Sequence, residues 1–196
     1  MRREEITAVV LCGGSGARLG AVDKTLVPVG GQPLVTHTID ALAPQVGGFV
    51  LSCGRDPAPY ETFGHPVATD AEPGTGPLGG IISALPLVET EWILTHPGDA
   101  PFPDPRLVDR LAGTAAAGGA AVPRTGDYRQ NLVLLISRST VETLAQFYRD
   151  GGRAVWHWLD AEGIESVDMN DVVESFFNVN TPEDLATAAR RLAARD

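Results

Sequence analysis

The chain has 196 residues, 43% hydrophobic and 20% charged, proportions that exclude a disordered or fibrous protein and suit one well-filled globular domain. Lys and Arg number 15 against 25 Asp and Glu, a formal net charge of -10 that repels phosphate backbones and anionic lipid surfaces. Generic nucleic-acid binding is thereby excluded, and no apolar run approaches the roughly 20 residues that cross a bilayer. No signal-type apolar core follows Met1 to Thr7, so the expected location is the cytoplasm. Cys12 and Cys53 are too few for a disulfide framework and wrongly spaced for zinc, and reduced thiols are expected.

Apolar β-branched runs alternate with segments of helical period, the pattern of an α/β sheet with helices on its faces. Ile6 to Leu11 reads as a buried first strand, followed by a Gly-rich loop. Pro33 to Leu42 reads as a helix that places Leu34, Ile39 and Leu42 near one face, and Phe49 to Ser52 as the second strand, which implies a right-handed βαβ unit. A second helix is expected over Leu78 to Val88 and a third strand over Trp92 to Thr95. Arg106 to Ala117, Ala120 to Val122, Leu132 to Ile136 and Thr140 to Tyr148 continue the alternation. Thr181 to Asp184 is a helix start, with a Thr cap, Pro at the first position and acids in the first turn, and the helix runs to the C-terminus. Trp92, Trp156 and Trp158 are expected in the core, with the edge of a pocket near Arg153 as the alternative for Trp156 and Trp158. His37, His65, His96 and His157 have no ligand spacing and read as packing or surface residues.

Glycine and proline cluster in Cys12 to Gly31, Arg55 to Gly80 and His96 to Pro105, each after a predicted strand, and ligands of open α/β sheets bind beyond the carboxyl ends of strands. In the first of these loops Gly13, Gly14 and Gly16 let backbone N–H groups converge on an anion, while Arg18 and Lys24 supply charge for phosphate oxygens. The Gly-Lys-Ser/Thr ending of a P-loop is missing, and Leu19 stands where the dinucleotide fingerprint needs its third Gly. A triphosphate fits the loop best. Lys24 is the only Lys among 15 basic residues, and a compact ammonium is not equivalent to a planar guanidinium at a phosphate-bridging position.

Asp70 and Asp99 each end a strand in a Gly/Pro turn, where a carboxylate can hold Mg²⁺ and leave its other positions to phosphate and water. Capping of the turn by the Asp side chain is the competing reading. Asn178 and Asn180 precede the last helix and could bind a second, anionic or multiply hydrogen-bonding substrate; capping alone would explain Asn180 or Thr181 but not both amides. Cys12 lies in the loop with no base paired to it, which disfavours a thiol nucleophile.

Leu-Cys-Gly-Gly-Ser-Gly-Ala-Arg-Leu-Gly at 11 to 20, Asp-Lys-Thr-Leu at 23 to 26, Gly-Gln-Pro-Leu at 31 to 34, Gly-Pro-Leu-Gly-Gly-Ile at 76 to 81, Gly-Asp-Ala-Pro-Phe at 98 to 102 and Asn-Val-Asn-Thr-Pro-Glu-Asp-Leu at 178 to 185 resemble the molybdenum cofactor guanylyltransferases. The resemblance runs in order across almost the whole chain. It implies a single Rossmann-like nucleotidyltransferase domain over residues 1–196, a mostly parallel sheet flanked by helices, that transfers GMP from GTP to molybdopterin with Mg²⁺ and releases pyrophosphate. Carried over by position, the backbone at Leu11, Cys12 and Gly13 would meet the guanine, Lys24 the phosphates, Asp70 the nucleoside, Asp99 the Mg²⁺, and Asn178 and Asn180 the pterin, beside the Gly14 and Arg18 contacts that the loop itself suggests.

Handing over an oxidation-sensitive product makes transient contacts with molybdoenzyme apoproteins, and with a GTP-binding accessory protein, part of the same expectation. The family usually reads Leu-Ala-Gly-Gly where this chain has Cys12, and Ser52 stands where Asn often helps with the nucleotide. Gly13 favours guanine, because the related cytidylyltransferases read Leu-Ala-Ala-Gly. The competing functions are transfer from CTP to molybdopterin, transfer from an NTP to a sugar phosphate, and a non-catalytic protein that binds and delivers the cofactor.

Overall fold

Ile6–Leu11 (β1) is buried along its whole length because both of its faces are covered. In the computed structural model of the protein, which describes residues 1–13, 23–70 and 74–194, the alternation of β1 side chains sorts them into two hydrophobic layers. Ile6, Ala8, Val10 and Cys12 join one, Val9 and Leu11 the other.

After β1 come the short hairpin strands Pro28–Val29 (β2) and Gln32–Pro33 (β3), then helix Leu34–Leu42 (α1), strand Gly48–Cys53 (β4), the single turn Ala58–Glu61 (α2) and strand Val67–Thr69 (β5). Helix Gly76–Ala84 (α3) leads to strand Trp92–Pro97 (β6), helix Leu107–Gly118 (α4) and strand Ala120–Thr125 (β7). The short strand Tyr128–Arg129 (β8) folds back on β7, and Leu134–Ser137 (β9) precedes helices Arg138–Arg149 (α5) and Val155–Ala161 (α6). Strand Ser166–Asp168 (β10) and helix Pro182–Ala193 (α7) close the chain.

Among the described residues the sheet has eight strands in the order β10-β7-β9-β6-β1-β4-β5, with β8 beside β7. Strands β6, β1, β4 and β5 form a parallel block, and β9 enters antiparallel to both β6 and β7. The expected mostly parallel sheet with helices on its faces is therefore found. One face carries Val35, Ile39 and Leu42 of α1 and Leu107 and Leu111 of α4, the other Leu78 and Ile81 of α3 and Leu144 of α5. Each of these side chains contributes about 1.5 to 3 kcal/mol by leaving water. A third cluster of Val29, Leu34, Phe102, Val179 and Ala188 fixes α7 against the hairpin.

Element ends differ from expectation by a few residues, for local reasons. The helix expected to begin at Pro33 has Pro33 as its cap, and the helix expected over Leu78 to Val88 begins two residues earlier and tightens into a 3-10 turn at Leu85–Leu87. Helix α5 starts at Arg138, where Ser137 accepts a hydrogen bond from the Thr140 N–H. Trp156 corrects the expectation of a core residue. Val155, Trp158 and Leu159 occupy the i, i+3, i+4 face of α6 and are buried, which leaves Trp156 on the outer side, 47% exposed. Trp158 is buried and its indole N–H donates to the Thr143 hydroxyl at 3.0 Å, while Trp92, the first residue of β6, packs half-buried against the layer that holds α1 and α4.

His96, on β6 opposite Val10, is buried, with Nδ1 2.9 Å from the Pro97 carbonyl. Burial pushes its imidazole down from 6.5 to about 4. Between those values the unfolded chain binds a proton that the folded chain refuses, so stability falls as the pH falls through this window. Denaturant unfolding at pH 7 and pH 5 should show a loss of about 2 kcal/mol from this group. The His96→Asn chain, which keeps an N–H donor but cannot titrate, should show a correspondingly shallower dependence; equal slopes would contradict the assignment.

Candidate active site

The carboxyl ends of β1, β4, β5 and β6 lie side by side, and each carries a residue singled out from the sequence. Gly98 fits closely behind β1. Its N–H donates to the Leu11 carbonyl at 2.9 Å, and a Cβ there would come within 3.1 Å of that oxygen and 3.3 Å of Thr25. This approach delivers Asp99 to the floor of the site, where its side chain is only 10% exposed. The Asp99 carbonyl accepts a hydrogen bond from the Val179 N–H at 2.9 Å, which ties the 178–180 segment to the same strand end.

Lys24, at the start of the 3-10 turn Lys24–Leu26, forms an ion pair with Asp99 and donates to the Asn180 side-chain oxygen at 2.9 Å. Three distant chain segments thus converge on one ammonium. Cap chemistry separates the roles of Asn180 and Thr181: Thr181 and Asp184 form a reciprocal capping box on α7, and the Asn180 amide is left to Lys24. Val179 is fully buried in the third cluster while its neighbours Asn178 and Asn180 are exposed, and Asn178 makes a 3.4 Å contact to the Phe176 carbonyl. Asn180 therefore joins the Lys24 cluster, and Asn178 flanks it. Arg18, Gly14 and Gly16 lie outside the described residues.

Beside this cluster a cavity of about 420 Å³ is lined by Leu11, Gly13, Ser52, Asp70, Pro77 and Gly80, among others. Burial raises the Asp70 carboxyl above the usual carboxylate range. Helix α3 can pack this close to β4 because Gly80 lacks a side chain: a Cβ there would fall 2.7 Å from the Ser52 hydroxyl. The Ser52 hydroxyl donates to the Gly80 carbonyl at 3.0 Å, and its own carbonyl accepts from the Cys12 N–H at 2.7 Å. Ser52 builds the wall of the cavity.

Cys12 is buried, and burial beside Asp23 pushes its thiol well above the ordinary value; burial likewise pushes Cys53 up to about 11. Both stay protonated and neither can act as a nucleophile near neutral pH.

Tyr60, on α2, is a site residue that the sequence did not single out. Its phenol is buried and donates to Asp23 Oδ2 at 2.5 Å, lies 2.6 Å from the Thr25 hydroxyl, and is 3.4 Å from the Cys12 carbonyl. A Tyr in a Pro-rich, polar stretch, three residues before Phe63, was the available signal.

Among the described residues no group of three or more His, Cys, Asp or Glu could hold a metal ion. Asp99 supplies a single carboxylate, and Mg²⁺ characteristically takes one or two protein carboxylates with phosphate and water completing its shell. The donor set fits that ion bound together with a nucleotide. No described helix is long and apolar enough to cross a membrane.

Residues 8–165 match the family model described as a MobA-like NTP transferase domain. The chain is 38% identical over 197 residues to the molybdenum cofactor guanylyltransferase of Cupriavidus necator, an alignment covering 96% of this chain and 98% of the relative. It is 40% identical over 194 residues to the protein of the same description from Methylibium petroleiphilum, covering 93% and 94%. Among solved structures, the molybdopterin-guanine dinucleotide biosynthesis protein A from Archaeoglobus fulgidus superposes with a TM-score of 0.75 at 26% identity, over 96% of this chain and 99% of that one.

Proposed function

The chain belongs to the MobA-like NTP transferase family, and on that premise we propose that it transfers GMP from GTP to molybdopterin, releasing pyrophosphate and forming molybdopterin guanine dinucleotide. The observation that carries this reading is the convergence of Lys24, Asp99 and Asn180 at the strand ends, beside a cavity of about 420 Å³. The relatives described as molybdenum cofactor guanylyltransferases match over nearly the full chain, which supports the same substrate pair.

Residues 1–196 act as one nucleotidyltransferase domain in this account. The base and ribose occupy the cavity between Leu11, Cys12 and Gly13 on one side and Asp70 and α3 on the other. Gly14, Arg18 and Lys24 meet the phosphates, and Asn178 and Asn180 receive the pterin. An oxygen of the molybdopterin phosphate attacks the α-phosphorus in line; the new O–P bond forms as the α–β bridge breaks, and pyrophosphate departs with the electron pair. A phosphate monoester, with a second pKa of about 6, is already largely ionised near neutral pH. No general base is needed, and catalysis is positioning and charge neutralisation.

Lys24 moves its ammonium between Asp99, Asn180 and the triphosphate, so the ion pair holds the cation ready before substrate arrives. Asp99 would hold Mg²⁺, which supplies Lewis-acid neutralisation of phosphate charge when bound. The protein works in the cytoplasm, with transient contacts to molybdoenzyme apoproteins and to a GTP-binding accessory protein. Mass analysis of the product from GTP, Mg²⁺ and molybdopterin tests the acceptor: the predicted product carries GMP joined to the pterin through a diphosphate. A product formed instead from a sugar phosphate, or tight cofactor binding with no product, would overturn it.

A further inference from the structure

We infer that Tyr60 is a positioning residue whose hydroxyl fastens together the two ends of the phosphate-binding loop and so presets Lys24 for the nucleotide. This rests on the nucleotidyl-transfer reading of the site and adds to it a residue from a separate element, α2. Cys12 stands where the loop leaves β1, and Asp23 and Thr25 flank Lys24 where the loop ends. A buried phenol joins the two. The Thr25 hydroxyl lies 2.6 Å from the phenol oxygen and 2.9 Å from Asp23 Oδ1; the phenol donates to Asp23 Oδ2 at 2.5 Å; and the Thr25 N–H donates to Asp23 Oδ1 at 3.2 Å. The Cys12 carbonyl closes the knot at 3.4 Å from the phenol and 3.5 Å from the Thr25 hydroxyl.

The anchoring side of this knot is firm. Tyr60 is 1% exposed within the layer that also holds Val10, Cys12 and Cys53, and its ring lies 6.2 Å from that of Phe63. Burial and the adjacent Asp23 push the phenol far above its ordinary value, so it remains a donor at every working pH. Charge-assisted hydrogen bonds to a carboxylate are the stronger kind and are directional. Asp23 is covalently next to Lys24, so fixing the Asp23 side chain restricts the backbone that aims the ammonium. A misplacement of about 1 Å at such a point can cost on the order of a hundredfold in rate.

The test is Tyr60→Phe, which keeps the ring, alongside Thr25→Val, which removes the other hydroxyl at nearly constant shape. Two readouts are taken: kcat/KM for GTP in pyrophosphate release, well below the melting transition, and amide exchange across residues 23–26 in the protein without nucleotide. Both variants should lose roughly thirtyfold in kcat/KM, both should exchange faster at 23–26, and the double variant should lose little more than either single one because the two hydroxyls act as one chain. A lowered melting temperature with unchanged kcat/KM, or lost turnover with unchanged exchange at 23–26, would overturn the positioning role. Exchange needs no turnover: an inactive wild-type chain would sink the transfer reading, and wild-type exchange in Tyr60→Phe would separately sink the knot.

Discussion

Replacing Asp99 by Ala is expected to lower the rate of pyrophosphate release by about a thousandfold, the scale on which one preorganised charge contact counts in a water-poor site. The side chain is 10% exposed and paired with Lys24, so its loss removes the carboxylate that would hold Mg²⁺ and also frees Lys24 from its resting position. The backbone contacts of residue 99 survive, because the Val179 N–H meets the Asp99 carbonyl rather than the side chain. The fold should therefore persist, with the melting temperature lower by several degrees for roughly 1 to 3 kcal/mol of lost pairing. Asp99→Asn, similar in shape but uncharged, should be nearly as inactive. A coupled assay of pyrophosphate with a melting curve on the same preparation separates the effects, and near-normal turnover in either variant would refute the role of the carboxylate.

Lys24→Ala should cost about a hundredfold or more in kcat/KM for GTP, and Lys24→Arg should recover little of it. The ammonium meets two oxygens at once, on Asp99 and Asn180, from a side chain that is 22% exposed. A guanidinium is larger and planar, and its donors form a rigid fork that cannot rotate among carboxylate, amide and phosphate as three ammonium protons can. The chain's choice of Arg at its other basic positions makes the single Lys informative. Steady-state kinetics of the two variants decides the matter; an active Lys24→Arg chain would show that any positive charge suffices.

These residues were legible in the sequence because of where they sit. Asp70 and Asp99 each close a strand and Lys24 ends the Gly-rich loop that leaves another, and in a parallel block the strand ends are brought to one edge whatever the details of the helices. The parallel block itself was readable from continuous apolar strands such as Ile6–Leu11, which need cover on both faces. Strands β8 and β10, of two and three residues, are too short to show a period, and they exist because β7 offers them an edge. Trp156 misled for a different reason. Hydrophobicity alone assigned it inward, whereas the helix that carries it already has a full buried face in Val155, Trp158 and Leu159.

The Lys24 partnership exists only in the tertiary fold. Asn180 lies 156 positions from Lys24, and the tie between Val179 and Asp99, with the burial of Val179 in the third cluster, brings the two together. Tyr60 was hidden for a similar reason, since the four residues of α2 have no amphipathic pattern and the value of the phenol lies wholly in partners 35 to 48 positions away. The place of Ser52 was equally unreadable, because its hydroxyl turns to the backbone of α3.

The most direct measurement is Mg²⁺-dependent pyrophosphate release by the intact chain with molybdopterin as acceptor, run in parallel with GTP, CTP and ATP and with Lys24→Ala as control. Release with GTP alone, lost in the variant, is the predicted result; release with CTP or ATP in its place, release that persists without Lys24, or none with any nucleotide would contradict it.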